Sequence, residues 1–146
     1  MKYTTLNKIK ERSPCQDVWK KLLKHLGKTK ADDELLPFAV ILESNGLADA
    51  LWCTRAAPEY SKEWRGLAIA YARRVQHLMK DPRSIKALDV AEAFLKGEAT
   101  QAELDKARKD AAYYAADAAA AAAYAYYADA DAERAAQTKL FLELVQ

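Results

Sequence analysis

In a chain of 146 residues, four side chains have the chemistry for metal ligation or nucleophilic catalysis: Cys15, His25, Cys53 and His77. Metal sites usually draw their ligands from short pairs such as C-x-x-C or H-x-x-x-H. Neither pair occurs here, and successive members of the four are separated by 10, 28 and 24 residues. The flanking sequence also supplies no activating charge to either cysteine. We therefore predict no metal site and no cofactor, with buried cysteines and surface histidines.

Motifs of the common enzyme classes are absent from the sequence as well. There is no G-x-S-x-G, no G-x-G-x-x-G, no P-loop and no H-E-x-x-H. Carboxylates do occur at helical spacing, as Glu43 with Asp49 and as Asp89 with Glu92. Salt bridges to lysine or arginine, or a solvated helix face, explain such pairs more simply than acid–base catalysis. We predict that the protein is not an enzyme.

The most distinctive local pattern is Asp49, Trp52 and Arg55, spaced at i, i+3 and i+6. Residues three apart are neighbours on a helix, so Trp52 would lie beside both of the others. One interpretation is an intramolecular lock between helices, with Trp52 in the core and Arg55 stacked at its edge. The other is a protein-recognition patch, because Trp, Tyr and Arg dominate binding hot spots. Trp64 and Arg65 repeat these residue types, and we assign all five residues to a candidate protein-binding surface.

An alanine–tyrosine segment dominates the C-terminal part, with 16 Ala and five Tyr in residues 111–136. Alanine is the best intrinsic helix former, so local propensity alone predicts a helix. At 100° per residue, Tyr113, Tyr124 and Tyr127 lie within about 60° of one another, opposite a stripe of alanines. This stripe either packs on the rest of the protein or belongs to a partner or homodimer surface, since Tyr is enriched at interfaces. We include the three tyrosines in the candidate protein-binding surface.

Charge is balanced overall but not along the chain. The net charge is +2, which gives no global attraction to nucleic acid or membrane. Residues 1–30 hold nine Lys or Arg against two acids, whereas residues 31–60 hold six acids against one Arg. We expect these neighbouring segments to face each other. The alternative is a nucleic-acid-binding surface that uses Lys20, Lys21 and Lys24, although aromatic residues for base stacking are sparse there.

Composition predicts the fold class. Alanine supplies 31 residues, while Val and Ile together supply nine, which favours helices over strands. We predict an all-α protein, a single bundle of about six helices that ends in a long Ala/Tyr-rich helix. Residues 1–100 would form a globular helical domain, and residues 101–146 a long helix packed on it or projecting from it, as one domain overall. A break near residues 129–133 is the alternative to one continuous helix.

Helix boundaries follow from capping residues and glycines. Ser13 with Gln16 and Thr100 with Glu103 each have the spacing of a capping box, and Asp81 precedes a proline. We also predict a helix that begins near Asp33 and continues to Gly46. Further expected boundaries are a cap at Ser61 and left-handed helix ends at Gly27 and Gly97.

Two further features bear on localisation. The N-terminus has no apolar stretch typical of a signal peptide, and the longest apolar run, residues 118–128, is too short to span a bilayer. Two cysteines are too few for a disulfide framework. We expect a reduced, cytoplasmic protein with no membrane partner.

Several stretches of the chain resemble Imm-5-like immunity proteins, which are small helical proteins of bacteria and their phages. The resemblance involves the opening residues 13–17, 19–23 and 26–33, the central block 41–56, and residues 96–100 before the Ala-rich helix. It covers about residues 13–136. It implies a non-catalytic protein in the bacterial host cytosol that binds and blocks another protein. That partner would be a toxin or, for a phage-borne gene, a host defence effector, as with anti-CRISPR proteins.

Overall fold

The computed structural model describes residues 1–112 and 130–146, and it confirms the predicted all-α class. Those residues form eight α-helices, rather than about six, and one antiparallel sheet of two short strands. No helix in the described part is both long enough and apolar enough to cross a membrane. The internal contacts divide the chain into two compact units: unit 1, Met1–Ser61 with Leu140–Gln146, and unit 2, Lys62–Lys139. The boundary at residue 100 and the single-domain interpretation remain predictions.

Unit 1 combines short helices with the two-stranded sheet. Strand β1 (Tyr3–Thr4) pairs antiparallel with β2 (Leu36–Pro37), with Tyr3 opposite Pro37 and Thr4 opposite Leu36. The helices are α1 (Leu6–Lys10), α2 (Gln16–His25), α3 (Phe38–Asn45) and α4 (Leu47–Cys53), followed by 3-10 turns at Thr54–Ala56 and Pro58–Tyr60.

Residues from both ends of the chain form the core of unit 1. Phe38 and Phe141 are fully buried, and their rings meet edge to face with centroids 6.4 Å apart. The Lys2 amide donates to the carbonyl of Val145 at 2.8 Å, and the Phe38 amide donates to the carbonyl of Lys2 at 3.1 Å. Ile41 of α3 is also fully buried, which agrees with the central position that its apolar sequence predicts.

Unit 2 contains α5 (Ser61–Arg74), a 3-10 turn at Gln76–Leu78, α6 (Pro82–Lys96) and α7 (Gln101–Ala112). The first residue of α5, Ser61, is assigned to unit 1. Helix α8 (Ala130–Val145) belongs to unit 2 up to Lys139 and to unit 1 from Leu140. In unit 2, the Tyr71 hydroxyl donates to the carbonyl of Gln137 at 2.9 Å, and burial raises the pKa of Tyr71 to about 12. Residues 130–133, where a break is the predicted alternative, are helical within α8, and the course of residues 113–129 lies outside the described residues.

Several predicted helix ends are confirmed. The Asp81 carboxylate caps α6 by accepting from the Arg83 amide. The Thr100 hydroxyl accepts from the Glu103 amide at 3.2 Å, while a Glu103 carboxylate oxygen accepts from the Thr100 amide at 2.7 Å, which completes the capping box. Gly97, at φ 80°, is the left-handed residue that ends α6.

Two predicted helix starts are wrong. Ser13 does not cap α2, since Cys15 is the N-cap residue. Ser13 lies in the turn after α1, where its φ is 57° and its amide donates to the Lys10 carbonyl. Helix α2 begins at Gln16 instead. The helix expected from Asp33 begins only at Phe38, because Leu36 precedes a proline and is therefore biased towards the extended conformation, where it pairs in β2.

Candidate functional site

The two cysteines and the two histidines belong to no cluster of three or more potential metal ligands among the described residues. Cys53 is buried as predicted, and desolvation raises the pKa of its thiol to about 12, with a smaller effect from the charge of Asp49. Cys15 is exposed, contrary to the prediction, because it lies at the solvent-facing start of α2. His25 and His77 are exposed as predicted.

The acidic pair Asp89 and Glu92 forms salt bridges, as the sequence interpretation favoured. Arg73 Nη2 lies 2.6 Å from Asp89 Oδ1, and Arg73 Nε lies 2.8 Å from Glu92 Oε1. Hydrogen bonds to the guanidinium lower the pKa of Glu92 below its usual range. Both carboxylates therefore connect α5 to α6 by way of Arg73.

The predicted contact between Trp52 and Arg55 is present in unit 1. The Arg55 guanidinium carbon lies 5.6 Å from the centroid of the Trp52 ring, within the range of a cation–π contact. Arg55 is exposed and Trp52 is half-buried. Arg55 makes no salt bridge with any residue in the described ranges. We call this pair the Trp52–Arg55 platform.

Hydrogen bonds hold the turn that carries Arg55. The Thr54 hydroxyl donates to the Leu51 carbonyl at 2.7 Å, and the Ala57 amide donates to the Thr54 carbonyl at 3.0 Å. The buried Thr4 hydroxyl donates to the Ala56 carbonyl at 3.0 Å, which joins the turn to β1. Arg55 therefore projects from a backbone that is fixed on both sides.

Asp49, the third member of the predicted pattern, has an intramolecular partner that sequence reasoning missed. The Asn45 side-chain amide donates to Asp49 Oδ2 at 3.1 Å and to the Val18 carbonyl of α2 at 3.0 Å. The Ser44 hydroxyl donates to Asn45 Oδ1 at 2.6 Å. Asp49 thus contributes to a lock between α2 and the α3–α4 junction. The only signal in the sequence is that Asn45 precedes Gly46 at the end of a helix. An asparagine at that position is equally typical of a simple turn, so the sequence does not indicate the contact with Asp49.

Trp64 and Arg65 lie on α5 in unit 2, where Trp64 is half-buried and Arg65 is exposed. Arg65 lines two cavities of about 140 and 350 Å³, and Phe94 and Leu95 of α6 also line both. We call these two cavities, which share three lining residues, the α5–α7 groove. Its lining residues are Lys62, Arg65, Ala68, Ile69, Ala91, Phe94, Leu95, Lys96, Gly97, Leu104 and Arg108.

The charged residues of the α5–α7 groove all have the same sign. Lys62, Arg65, Lys96 and Arg108 are cations, and the lining includes no carboxylate. Among the residues described, Lys62, Arg65 and Arg108 form neither a salt bridge nor a side-chain hydrogen bond. The sequence pattern pointed only to Arg65. Lys62 lies one turn from it on α5, but Lys96 and Arg108 become its neighbours only when the helices pack.

A second cavity in unit 2, of about 640 Å³, lies along α6 and α7 and has mixed charge. Lys86 and Lys106 line it together with Glu98, Glu103 and Asp110. Because opposite charges lie side by side, their fields largely cancel, and the cavity favours neither anionic nor cationic ligands. This cavity therefore offers weaker grounds for a binding site than the α5–α7 groove.

The basic N-terminal segment is partly neutralised by the acidic segment that follows it, as expected. Lys8 Nζ lies 3.0 Å from a Glu59 carboxylate oxygen, and Lys28 Nζ lies 2.7 Å from Asp32 and 2.6 Å from Glu34. These hydrogen bonds raise the pKa of Lys28 and lower that of Asp32. Lys20, Lys21 and Lys24 on α2 are exposed and have no ion-pair partner in the part of the chain that is described.

The remaining predicted site residues, Tyr113, Tyr124 and Tyr127, lie outside the described residues. The structure therefore brings Trp52 and Arg55 together in unit 1 and places Arg65 at a groove in unit 2. No family model, curated protein or solved structure matches the chain. What is shown is the class, a predominantly helical protein, and the likeness to Imm-5-like immunity proteins stays a prediction.

Proposed function

We propose that this protein acts without catalysis, by binding another protein and occluding its surface. The Trp52–Arg55 platform is the observation that carries this proposal. An exposed guanidinium stacked on an indole, with no carboxylate partner among the described residues, has the chemistry of a binding hot spot. The hydrogen-bonded turn beneath it reduces the conformational entropy that binding would cost.

The partner we infer is a toxin, or a defence effector if the gene is phage-borne, as the resemblance to immunity proteins implies. A carboxylate on that partner would accept hydrogen bonds from Arg55 while an apolar group covers the ring of Trp52. We place this activity in the bacterial cytosol, where the free thiols of Cys15 and Cys53 would stay reduced.

Affinity capture with matched variants tests this proposal. Wild type, Arg55→Ala and the control Arg12→Ala are immobilised, and bound proteins from a lysate of the source organism are quantified by mass spectrometry. Arg55 and Arg12 are both exposed, so both substitutions should leave the fold intact. We expect one protein retained by wild type and by Arg12→Ala, and reduced about tenfold by Arg55→Ala, the usual loss at a hot spot. Equal retention by all three baits would refute the role of the platform.

The alternative function is nucleic-acid binding by the exposed cations Lys20, Lys21 and Lys24 of α2. Neutralising all three to Gln should then lower the slope of log affinity against log salt by up to about 3, because each phosphate contact releases counterions. Fluorescence anisotropy with a labelled DNA duplex measures that slope. The control replaces three exposed lysines of unit 2, Lys80, Lys106 and Lys109, with Gln. An equal effect of both triple variants would exclude a specific surface on α2.

A further inference from the structure

We infer that the α5–α7 groove of unit 2 is a second interaction surface, one that takes an acidic protein segment with an aliphatic or aromatic anchor residue. Its evidence is independent of the Trp52–Arg55 platform, because every lining residue belongs to unit 2.

Charge defines one half of the recognition chemistry. Arg65 and Lys62 lie one helical turn apart on α5, Lys96 is the last residue of α6, and Arg108 lies on α7. Three helices thus bring four cations to the two cavities of the groove, and neither lining includes a carboxylate. Placing like charges together destabilises a fold slightly, and a carboxylate-bearing partner removes that repulsion.

The apolar floor defines the other half. The cavity of about 140 Å³ is lined by the side chains of Ala68, Ile69, Phe94 and Leu95, together with Leu104, and a space of about this size can accept a benzene-sized group. A free small anion would leave that floor uncovered. An aliphatic or aromatic side chain fills it while flanking carboxylates meet Arg65 and Arg108.

The floor also favours protein over nucleic acid as the occupant. Single-stranded nucleic acids bind to grooves in which several aromatic rings stack on successive bases. Phe94 is the one aromatic residue that lines the two described cavities, and its neighbours Ile69 and Leu95 are aliphatic.

Fluorescence anisotropy with a defined probe tests the inference. The probe is a fluorescein-labelled helical peptide with leucines on one face and glutamates on the others. Wild type should bind it, and Arg65→Glu and Ala68→Glu should each weaken binding about fivefold or more. Arg65 and Ala68 are both exposed on α5, so neither variant should unfold the protein, which circular dichroism checks. Arg12→Glu, the same charge reversal in unit 1, is the control and should bind as wild type does.

Each other outcome overturns the inference. Absence of binding by wild type excludes the acidic, apolar occupant, and equal weakening by Arg12→Glu reduces the effect to net charge. Equal or tighter binding of an all-glutamate peptide assigns the groove to anions in general, and tighter binding of single-stranded DNA assigns it to nucleic acid. Arg55→Ala should leave peptide binding unchanged, so failure of this inference and failure of the proposed function are separable.

Discussion

At the scale of single residues, the Arg73 side chain links three other side chains of unit 2. Its guanidinium donates to Asp89, to Glu92 and, at 2.6 Å, to the side-chain oxygen of Gln76. The guanidinium group holds its N–H donors in one rigid plane, so it can bond to several acceptors at once in fixed directions. A lysine ammonium lacks this geometry. A quarter of the Arg73 side chain is exposed, so solvent screens these ion pairs in part.

Replacing Arg73 with Met should destabilise the protein in a pH-dependent way. The pKa of Glu92 is lowered in the folded state from an ordinary value of 4.5, so its contribution is fully present above about pH 4.5 and is lost as pH falls through the lowered pKa. We expect a loss of about 1 kcal/mol at pH 6, discounted for exposure of both carboxylates. Urea unfolding of wild type and variant at pH 6 and pH 3 measures it. A difference that stays constant across that range contradicts the assignment.

At this scale the sequence predicts the chemistry of a side chain more readily than the residue it contacts. Asp89 and Glu92 were correctly interpreted as salt-bridge acids, but nothing in their spacing indicated Arg73, which lies on another helix. Trp52 and Arg55 were found because their contact is local in sequence. The contact of Asn45 was not predictable, because its side-chain amide donates to Val18 of α2, which is distant in sequence.

At the scale of elements, glycines at helix ends and in helix interiors have opposite requirements. Gly97 ends α6 at φ 80°, a conformation that favours a residue without a Cβ. Gly66 lies inside α5, where a Cβ would meet Leu95 Cδ1 at 3.8 Å, an ordinary van der Waals contact. An alanine therefore fits at position 66 and strains the backbone at position 97.

Gly66→Ala should raise the free energy of unfolding by about 0.5–1 kcal/mol, because alanine has the higher helix propensity and there is room for its methyl group. Gly97→Ala should lower it by about 1 kcal/mol through backbone strain alone, since no atom of the described residues, other than its chain neighbours, lies within 4 Å of its Cβ position. Thermal and urea unfolding compare both variants with wild type. Destabilisation by Gly66→Ala would mean that α5 and α6 pack more tightly than described.

Element boundaries were predictable where one residue decides them. Asp81, Thr100 and Gly97 act through local hydrogen bonds or backbone conformation, and each lies where the sequence placed it. Strand β2 was not predictable, because a two-residue strand has no periodicity and depends on pairing with β1. The apolar run after Asp33 indicated burial correctly, but Pro37 moved the start of the helix to Phe38.

At the scale of the whole molecule, alanine content and few β-branched residues were enough to predict the helical class. The division into two compact units was not predictable. Unit 1 includes the last residues of α8, from Leu140 onward, and no linker-like composition marks the boundary. Phe141 and Val145 complete the core of unit 1 from the far end of the sequence. The α5–α7 groove likewise depends on three helices and has no sequence motif.

Phe141→Ala should therefore destabilise unit 1 more than any neighbouring substitution in α8. Removing a fully buried phenylalanine that packs on Phe38 should cost about 3–5 kcal/mol. Leu142→Ala, at the adjacent half-buried position, is the control and should cost clearly less. Urea unfolding measures both. If the two variants lose the same stability, the C-terminal residues do not contribute the core contact described here.

The same arrangement constrains how the protein folds as it is synthesised. All of unit 2 leaves the ribosome between Phe38 and its partner Phe141. Until Phe141 is synthesised, the apolar side chains of α3 that pack against it stay exposed. A nascent chain of unit 1 therefore presents apolar surface of the kind that chaperones bind. Closure of unit 1 must therefore be a late event, slowed by the loop entropy of so distant a contact.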